Sequence, residues 1–284
     1  MNVRPLLTTG IFFIAATAFA AEGSFDRTLN VGSSPNVSVA TGSGYIRLKP
    51  GSDNQVHIVG RIHSSNSWMG GDAEARVRQI SNNPPIAQNG NEITIGPEHH
   101  NGDLYRNISI DYDITLPKTS NIAATTGSGD LTIENVGSTL KAQTGSGSVH
   151  ASGIQGTATL GSGSGDVELR QSGPGDVRAE TGSGSLHLHG VNGGLKASTG
   201  SGDIDVQGQP VTDWKLSTGS GSIQMALGSG AKFNLVADTG SGSVNVSQPI
   251  SMQGSLNHHH ISGSVNGGGP IIHANTGSGD ITIR

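Results

Sequence analysis

The four residues Thr-Gly-Ser-Gly recur at 41, 126, 144, 181, 199, 218, 239 and 276, and Ser-Gly-Ser-Gly stands at 162. A Gly-Ser stretch met once is a flexible linker, but a linker has no reason to return at a fixed distance. The second glycine of each GSG, with Ile-Ser-Gly in its place at 263, falls from Gly129 onward at 147, 165, 184, 202, 221, 242, 263 and 279, in steps of 18 to 21 residues with a last step of 16. A period in this range marks a solenoid, in which one supersecondary unit stacks on the next.

Alignment on that glycine exposes two alternating patterns. Two residues after it stand Ile46, Leu131, Val149, Val167, Leu186, Ile204, Ile223, Val244, Val265 and Ile281. The next position is polar, and the one after is apolar again except at Gly267. Such period-two alternation is a strand with one buried face. Before the motif the apolar residues occupy odd offsets instead: Ile122, Leu140, Val177, Leu195, Trp214, Leu235, Leu256 and Ile272 seven before, and alanines such as Ala124, Ala142, Ala179, Ala197, Ala237 and Ala274 five before. A continuous strand cannot change phase in this way, because a slip of one residue turns every side chain to the other face. The chain therefore turns at GSG, where glycine supplies positive φ or permits close backbone approach. A second corner follows in NVGST, SGIQGT and HGVNGG, with Val136, Ile154 and Val191 pointing inward.

These columns predict an all-β, single-stranded β-solenoid, or β-helix, over residues 121–284. Its coils, about nine of 18–21 residues, stack as parallel strands over a thin core narrowed by alanine. Residues 21–120 lack the period. They hold alternating segments at 56–62, 91–97 and 108–117, an isolated coil around Val37–Leu48, and a surface excursion with a helical turn at Asp72–Gln79. This part reads as a β-rich N-terminal section that caps the solenoid. Glycine is 45 of 284 residues and aromatics are 4%, a balance that suggests disorder until the periodicity of the glycines is seen.

Residues 1–20 carry Arg4, an apolar run at Ile11–Ala18 and small residues at Ala18 and Ala20, the layout of a secretory signal peptide cleaved after Ala20. The expected location is the periplasm or the cell exterior. The absence of cysteine excludes a disulfide framework, a thiolate metal site and a lipid-anchored cysteine. Removing the signal leaves 15 basic against 21 acidic residues, which does not suit nucleic acid. No later apolar stretch is long enough for a membrane helix.

Phe25 and Leu29, then Gly44-x-Ile46-x-Leu48, then Tyr112-x-Ile114-x-Leu116-Pro117, followed by repeated T-G-S-G-[DS]-aliphatic-x-aliphatic coils, form an order of segments that resembles a family of exported bacterial β-strand-repeat proteins. That family is grouped as adhesin-like, similar to autotransporter adhesin heads, and is of unknown function. The resemblance spans about 25 to 284. It implies a β-solenoid, an exported location and an adhesive or envelope role, and supplies no catalytic residues.

Several residue sets could carry chemistry. Asp130, Asp166, Asp203 and Asp280 follow the GSG and suggest a calcium-binding β-roll. That roll needs its motif twice per coil and several carboxylates per ion, whereas serine or Tyr45 holds the same place elsewhere; the competing reading has these side chains bonding the corner's own backbone. His258, His259 and His260 replace an Ala-polar-Thr pattern, which would aim His258 and His260 inward, where two imidazoles can share a metal; a solvated loop is the alternative. His150, Glu168, His187 and Asp205 stack as an exposed ladder, either a weak acid-base set or surface charges in alternation. The Thr and Ser of TGSG could form an ice-binding ladder. Lys141, Arg178, Lys196 and Lys215, with His273 later, form a basic stripe suited to an anionic surface polymer.

The resulting expectation is an exported, non-enzymatic structural or adhesion-like module of the bacterial envelope, without cofactor or metal. Its partner would be an envelope polysaccharide or a surface protein, bound through Lys141, Arg178, Lys196 and Lys215. The alternatives are a carbohydrate-active or metal-dependent solenoid enzyme and a metal-ion-binding β-roll. Asp280–Arg284 would form an uncapped edge open to self-association or a partner strand.

Overall fold

The structure, a computed structural model, describes residues 21–64, 72–97, 103–252 and 258–284. The expected signal peptide and Leu256 lie outside the described residues. The fold is all-β with one helix, Asp72–Asn82. Each repeat forms a rung of two short strands, a leading one before the GSG corner and a trailing one after it. Leading strands pair in parallel with leading strands, so that Leu140, Ala158, Val177, Leu195 and Trp214 form one column. Trailing strands do the same, aligning Leu131, Val149, Val167, Leu186, Ile204 and Ile223. Both columns are buried, as are the alanines Ala124, Ala142, Ala179, Ala197, Ala237 and Ala274 and the second-corner residues Val136, Ile154 and Val191.

The glycines serve the approach of one backbone to the next. A Cβ on Gly147 would lie 2.0 Å from the carbonyl oxygen of Gly129, and one on Gly165 2.1 Å from that of Gly147. Beside them runs a column of buried hydroxyls. Thr144 Oγ1 donates to the Gly129 carbonyl at 2.9 Å and accepts the Gly147 amide at 3.1 Å. Thr126, Ser162, Thr181, Thr199, Thr218, Thr276 and Thr239 donate to a glycine carbonyl of the adjoining rung in the same way.

The rungs do not stack in chain order. The strand Ile271–Ser278 lies between Ile204–Ser220 and Phe233–Ser241, and Ile281–Ile283 lies between Ile223–Leu227 and Val244–Val246. The expected uncapped edge at Asp280–Arg284 is thereby corrected: these residues sit inside the stack, paired on both sides. A similar interleaving occurs at the other end, where Asn36–Thr41 lies between Glu92–Ile95 and Asn121–Thr126, and Ile46–Pro50 between Ile108–Leu116 and Leu131–Glu134.

The residue just before each buried trailing column explains the order. Along the stack it reads Asp111, Tyr45, Asp130, Ser148, Asp166, Ser185, Asp203, Ser222, Asp280, Ser243, an alternation that chain order breaks after Ser222. Each aspartate Oδ1 accepts the amide of the following rung: Tyr45 at 3.0 Å, then Ser148, Ser185, Ser222 and Ser243 at 2.8 Å each. The acceptors therefore serve the next rung rather than their own corner. Alternation also keeps carboxylates two rungs, about 9.6 Å, apart; at one rung they would repel by about 0.9 kcal/mol in water.

Antiparallel pieces close the ends. Glu22–Asn30 pairs antiparallel with Gln55–Ser64, which pairs antiparallel with Ile108–Leu116. The helix buries Ala73, Val77 and Ile80, and Gly23 lets it come close, since a Cβ there would lie 2.5 Å from Val77. Phe25 sits edge-on to Tyr112 at 6.2 Å. At the far end His260–Val265 runs antiparallel to Phe233–Ser241, so Ile261-Ser262-Gly263 belongs to a cap strand and is not the corner of a further coil.

Two substitutions test this packing. Ala197→Leu overfills the thin core and lowers the unfolding free energy by roughly 1–3 kcal/mol. Asp280→Ala removes the acceptor of the Ser243 amide and costs about 1 kcal/mol, while Gln224→Ala, outward on the neighbouring rung, stays within about 0.5 kcal/mol. Urea denaturation measures all three.

Candidate functional site

Side chains on the leading strands alternate inward and outward, so the residue after each buried Leu, Val or Trp faces solvent. The register brings together Lys141, Thr159, Arg178, Lys196, Lys215 and His273 on successive rungs. Thr159 separates Lys141 from the other three predicted cations. The interleaved last rung places His273 directly beside Lys215, a neighbour that chain order hides. Glu180, two residues along the strand, pairs with Arg178 at 2.6 Å and with Lys196 at 3.6 Å. Among the described residues Lys141 and Lys215 have no ion-pair partner.

Arg178 and Lys196 also line an open cleft of about 790 Å³. It exists because Gly193 and Gly194 begin the leading strand of the 195–201 segment without a side chain. A Cβ on Gly194 would reach Thr212 Oγ1 at 2.8 Å and Asp176 Oδ1 at 3.0 Å. Before Trp214 the register shifts, with Gly193 paired to Pro210 and Leu195 to Trp214, so that residues 211–213 oppose Gly194 alone and Val211, 56% exposed, stands as a wall. Asp176 and Asp213 enter the same cleft, with Asp176 Oδ1 accepting the Gly194 amide at 2.7 Å and Asp213 Oδ1 the Ile271 amide at 2.8 Å. These two carboxylates were absent from the sequence-based candidates. Their signal lay in Asp176-Val177-Arg178 and Asp213-Trp214-Lys215, the same acid-apolar-cation triplet at the same place in two rungs.

On the trailing face His150, Glu168, His187 and Asp205 are in register, as expected. Partial burial raises the Glu168 carboxyl, but hydrogen bonds from Arg170 and His150 outweigh it and hold the group below its ordinary value. Arg170 stands 2.8 Å and His150 3.4 Å from Glu168. Within the column His150 and Glu168 form a surface pair, worth about 0–1 kcal/mol.

The remaining candidates are structural. His258, His259 and His260 are all exposed, which corrects the inward aim expected for His258 and His260. The reason is that this segment caps the last rung with its backbone: the His258 carbonyl accepts the Val244 amide and the His259 carbonyl the Thr239 amide, both at 2.9 Å. His260 Nδ1 lies 2.5 Å from Asp238 Oδ1. Among the described residues no cluster of three or more His, Asp or Glu could hold a metal ion. The threonines of TGSG are buried and bonded within the corner, so they offer no ladder to ice. Added Zn²⁺ or Ca²⁺ should leave the melting temperature unchanged, where a site occupied at a hundred times its Kd would add about 2.7 kcal/mol; differential scanning fluorimetry with and without chelator checks this.

No helix among the described residues is long and apolar enough to cross a membrane. The model of the Toastrack DUF4097 family matches residues 36–284. No curated protein matches the chain. Among solved structures, a candidate adhesin from Bacteroides fragilis is 14% identical with a TM-score of 0.36, covering 92% of this chain and 97% of that one. A candidate lipid-binding protein from Parabacteroides distasonis is 11% identical with a TM-score of 0.37, over 92% and 96%. A candidate cell adhesion protein from Clostridium sporogenes is 13% identical with a TM-score of 0.27, over 92% and 99%. At these identities nothing about ligand or role transfers from them.

Proposed function

The chain belongs to the Toastrack DUF4097 family, and from that footing we propose that it is an exported, non-enzymatic β-solenoid of the bacterial envelope that docks a charged surface polymer along its leading face. The observation that carries this reading is the unbroken exposed column Arg178, Lys196, Lys215 and His273, with Lys141 two rungs from Arg178. At about 4.8 Å per rung it forms a stripe of roughly 24 Å from Lys141 to His273, long enough to follow several sugar residues. Export rests on the layout of residues 1–20. The same reading takes the eight stacked GSG corners from Gly129 to Gly242 as the coils of a single-stranded solenoid, and residues 21–120, the Gly44 corner included, as its capping section.

A binding role suits this surface better than catalysis. The cations stand on strands locked by pairing on both edges, so their backbone is presented without an ordering cost on binding. Catalysis needs groups converging on one reacting atom in a site that excludes water, and the columns here diverge along an open face.

The test is calorimetric binding of the full chain to polygalacturonate, de-N-acetylated hyaluronan and neutral dextran. The charged polymers should bind and dextran should not, with affinity falling as salt rises. Joint reversal by Lys141→Glu, Arg178→Glu, Lys196→Glu and Lys215→Glu should reduce binding of the carboxylated polymers by about tenfold or more. Binding unchanged by the reversal, or absent for both charged polymers in the parent chain, overturns the proposal.

A further inference from the structure

We propose that the cleft centred on Gly194 is a subsite for a zwitterionic glycan, one that carries carboxylate and ammonium groups on neighbouring sugars. This rests on the reading of the leading face as the docking surface and specifies its ligand. Within the cleft the formal charges cancel: Arg178 and Lys196 line it together with Asp176 and Asp213. A simple polyanion entering it would meet two carboxylates at the same range as the two cations, and Glu180 already holds both cations from the far side.

The arrangement is ordered and not merely mixed. The carboxylates stand two residues before the cation position on their strands, about 6.6 Å away, so the two signs form parallel columns. Asp176 and Asp213 lie two rungs apart, about 9.6 Å, with side-chain-free Gly194 between them. Each aspartate is oriented by one oxygen on a backbone amide, at 2.7 Å to Gly194 and 2.8 Å to Ile271, and the second oxygen is not used in that bond. A glycan lying across the rungs places its carboxylates against Arg178 and Lys196 and its ammonium groups against Asp176 and Asp213. Thr212 offers a hydroxyl, and exposed Val211 an apolar wall for the C–H face of a sugar ring.

Three polymers separate the possibilities in calorimetry with the full chain at about pH 6, where glucosamine amines are protonated and carboxylates are ionised. Hyaluronan carries carboxylates alone, chitosan carries ammonium groups alone, and de-N-acetylated hyaluronan carries both. The zwitterionic polymer should bind about tenfold tighter than either of the others. Asp176→Asn with Asp213→Asn keeps a side-chain acceptor for each backbone amide while removing the charge. This pair should abolish the preference with the melting temperature unchanged, and should leave hyaluronan binding equal or improved. If hyaluronan binds as tightly as the zwitterionic form and charge reversal of the stripe weakens both, the zwitterionic subsite is overturned while docking on the leading face stands. Chitosan binding as tightly as the zwitterionic polymer also overturns it. If none of the three binds, both readings fall.

Discussion

Everything in this fold depends on one close approach, that of the glycine backbone of each GSG corner to the carbonyl of the corner before it. A side chain at Gly147 would sit at 2.0 Å from Gly129 O, a distance no real Cβ contact reaches, so the corner tolerates only glycine while the strands keep their pairing distance. The cost of so much glycine is unfolded-chain entropy. It is offset by what the approach permits, namely strands paired on both edges and a buried hydroxyl at nearly every corner that both donates and accepts. Where hydroxyls satisfy the corner's polar groups, the interior between the two strand layers can be dry and narrow, and alanine suffices on much of one wall.

Because every corner looks alike, the corner cannot say which rung follows which. That information sits in the next residue. An aspartate offers an acceptor to the amide of the following rung, and a serine avoids setting a second carboxylate against the first. With Ser222 followed in the chain by Ser243, direct stacking of those rungs would leave the Ser243 amide without its acceptor, and Asp280 supplies it from the interleaved last rung. Tyr45 fits the same rule through Asp111 at the other end. The local alternation of charge thus coincides with a global topology in which the first and last coils lie inside the stack and antiparallel strands close its ends, a way of leaving few open parallel edges.

This division explains what was legible in the sequence. The phase switch from odd to even offsets is a direct imprint of burial, and Val149, Val167, Leu186 and Ile204 align as those columns require. The family resemblance, argued from Phe25, Gly44–Leu48 and Tyr112–Pro117, pointed to the same solenoid, and Phe25 and Tyr112 prove to be packed against each other in the cap. Stacking order was not legible in the shared columns, because residues at Ile272, Ala274 and Thr276 fit equally beside Trp214 or Leu235. The Ser-Gly-Ser at Gly263 imitated a corner although its strand runs the other way. Of the cleft, Arg178 and Lys196 were visible as cations in a column. Asp176 and Asp213 were not, since their meaning depends on the missing side chain at Gly194 and on the register shift that lifts Val211.

The two faces of the rod differ in how far their charges are already spent. On the trailing face Arg47 and Arg61 share Asp113, His63 meets Asp111, Lys49 meets Glu134, and Arg170 with His150 meets Glu168. Those pairs pin neighbouring rungs and leave little for a partner, since a ligand would have to displace one ion to reach another. The leading face is organised otherwise. Lys141 and Lys215 stand clear at either side of the cleft, and between them a row of cations and a row of carboxylates run in parallel without closing on each other, because rigid strand pairing keeps them about two residues apart. Charges held apart by a stiff scaffold retain a field that flexible side chains would collapse into ion pairs. Glu180 already shares Arg178 and Lys196, but Lys141, Lys215, Asp176 and Asp213 form no ion pair among the described residues, so the leading face leaves more of its charge unspent than the trailing face does.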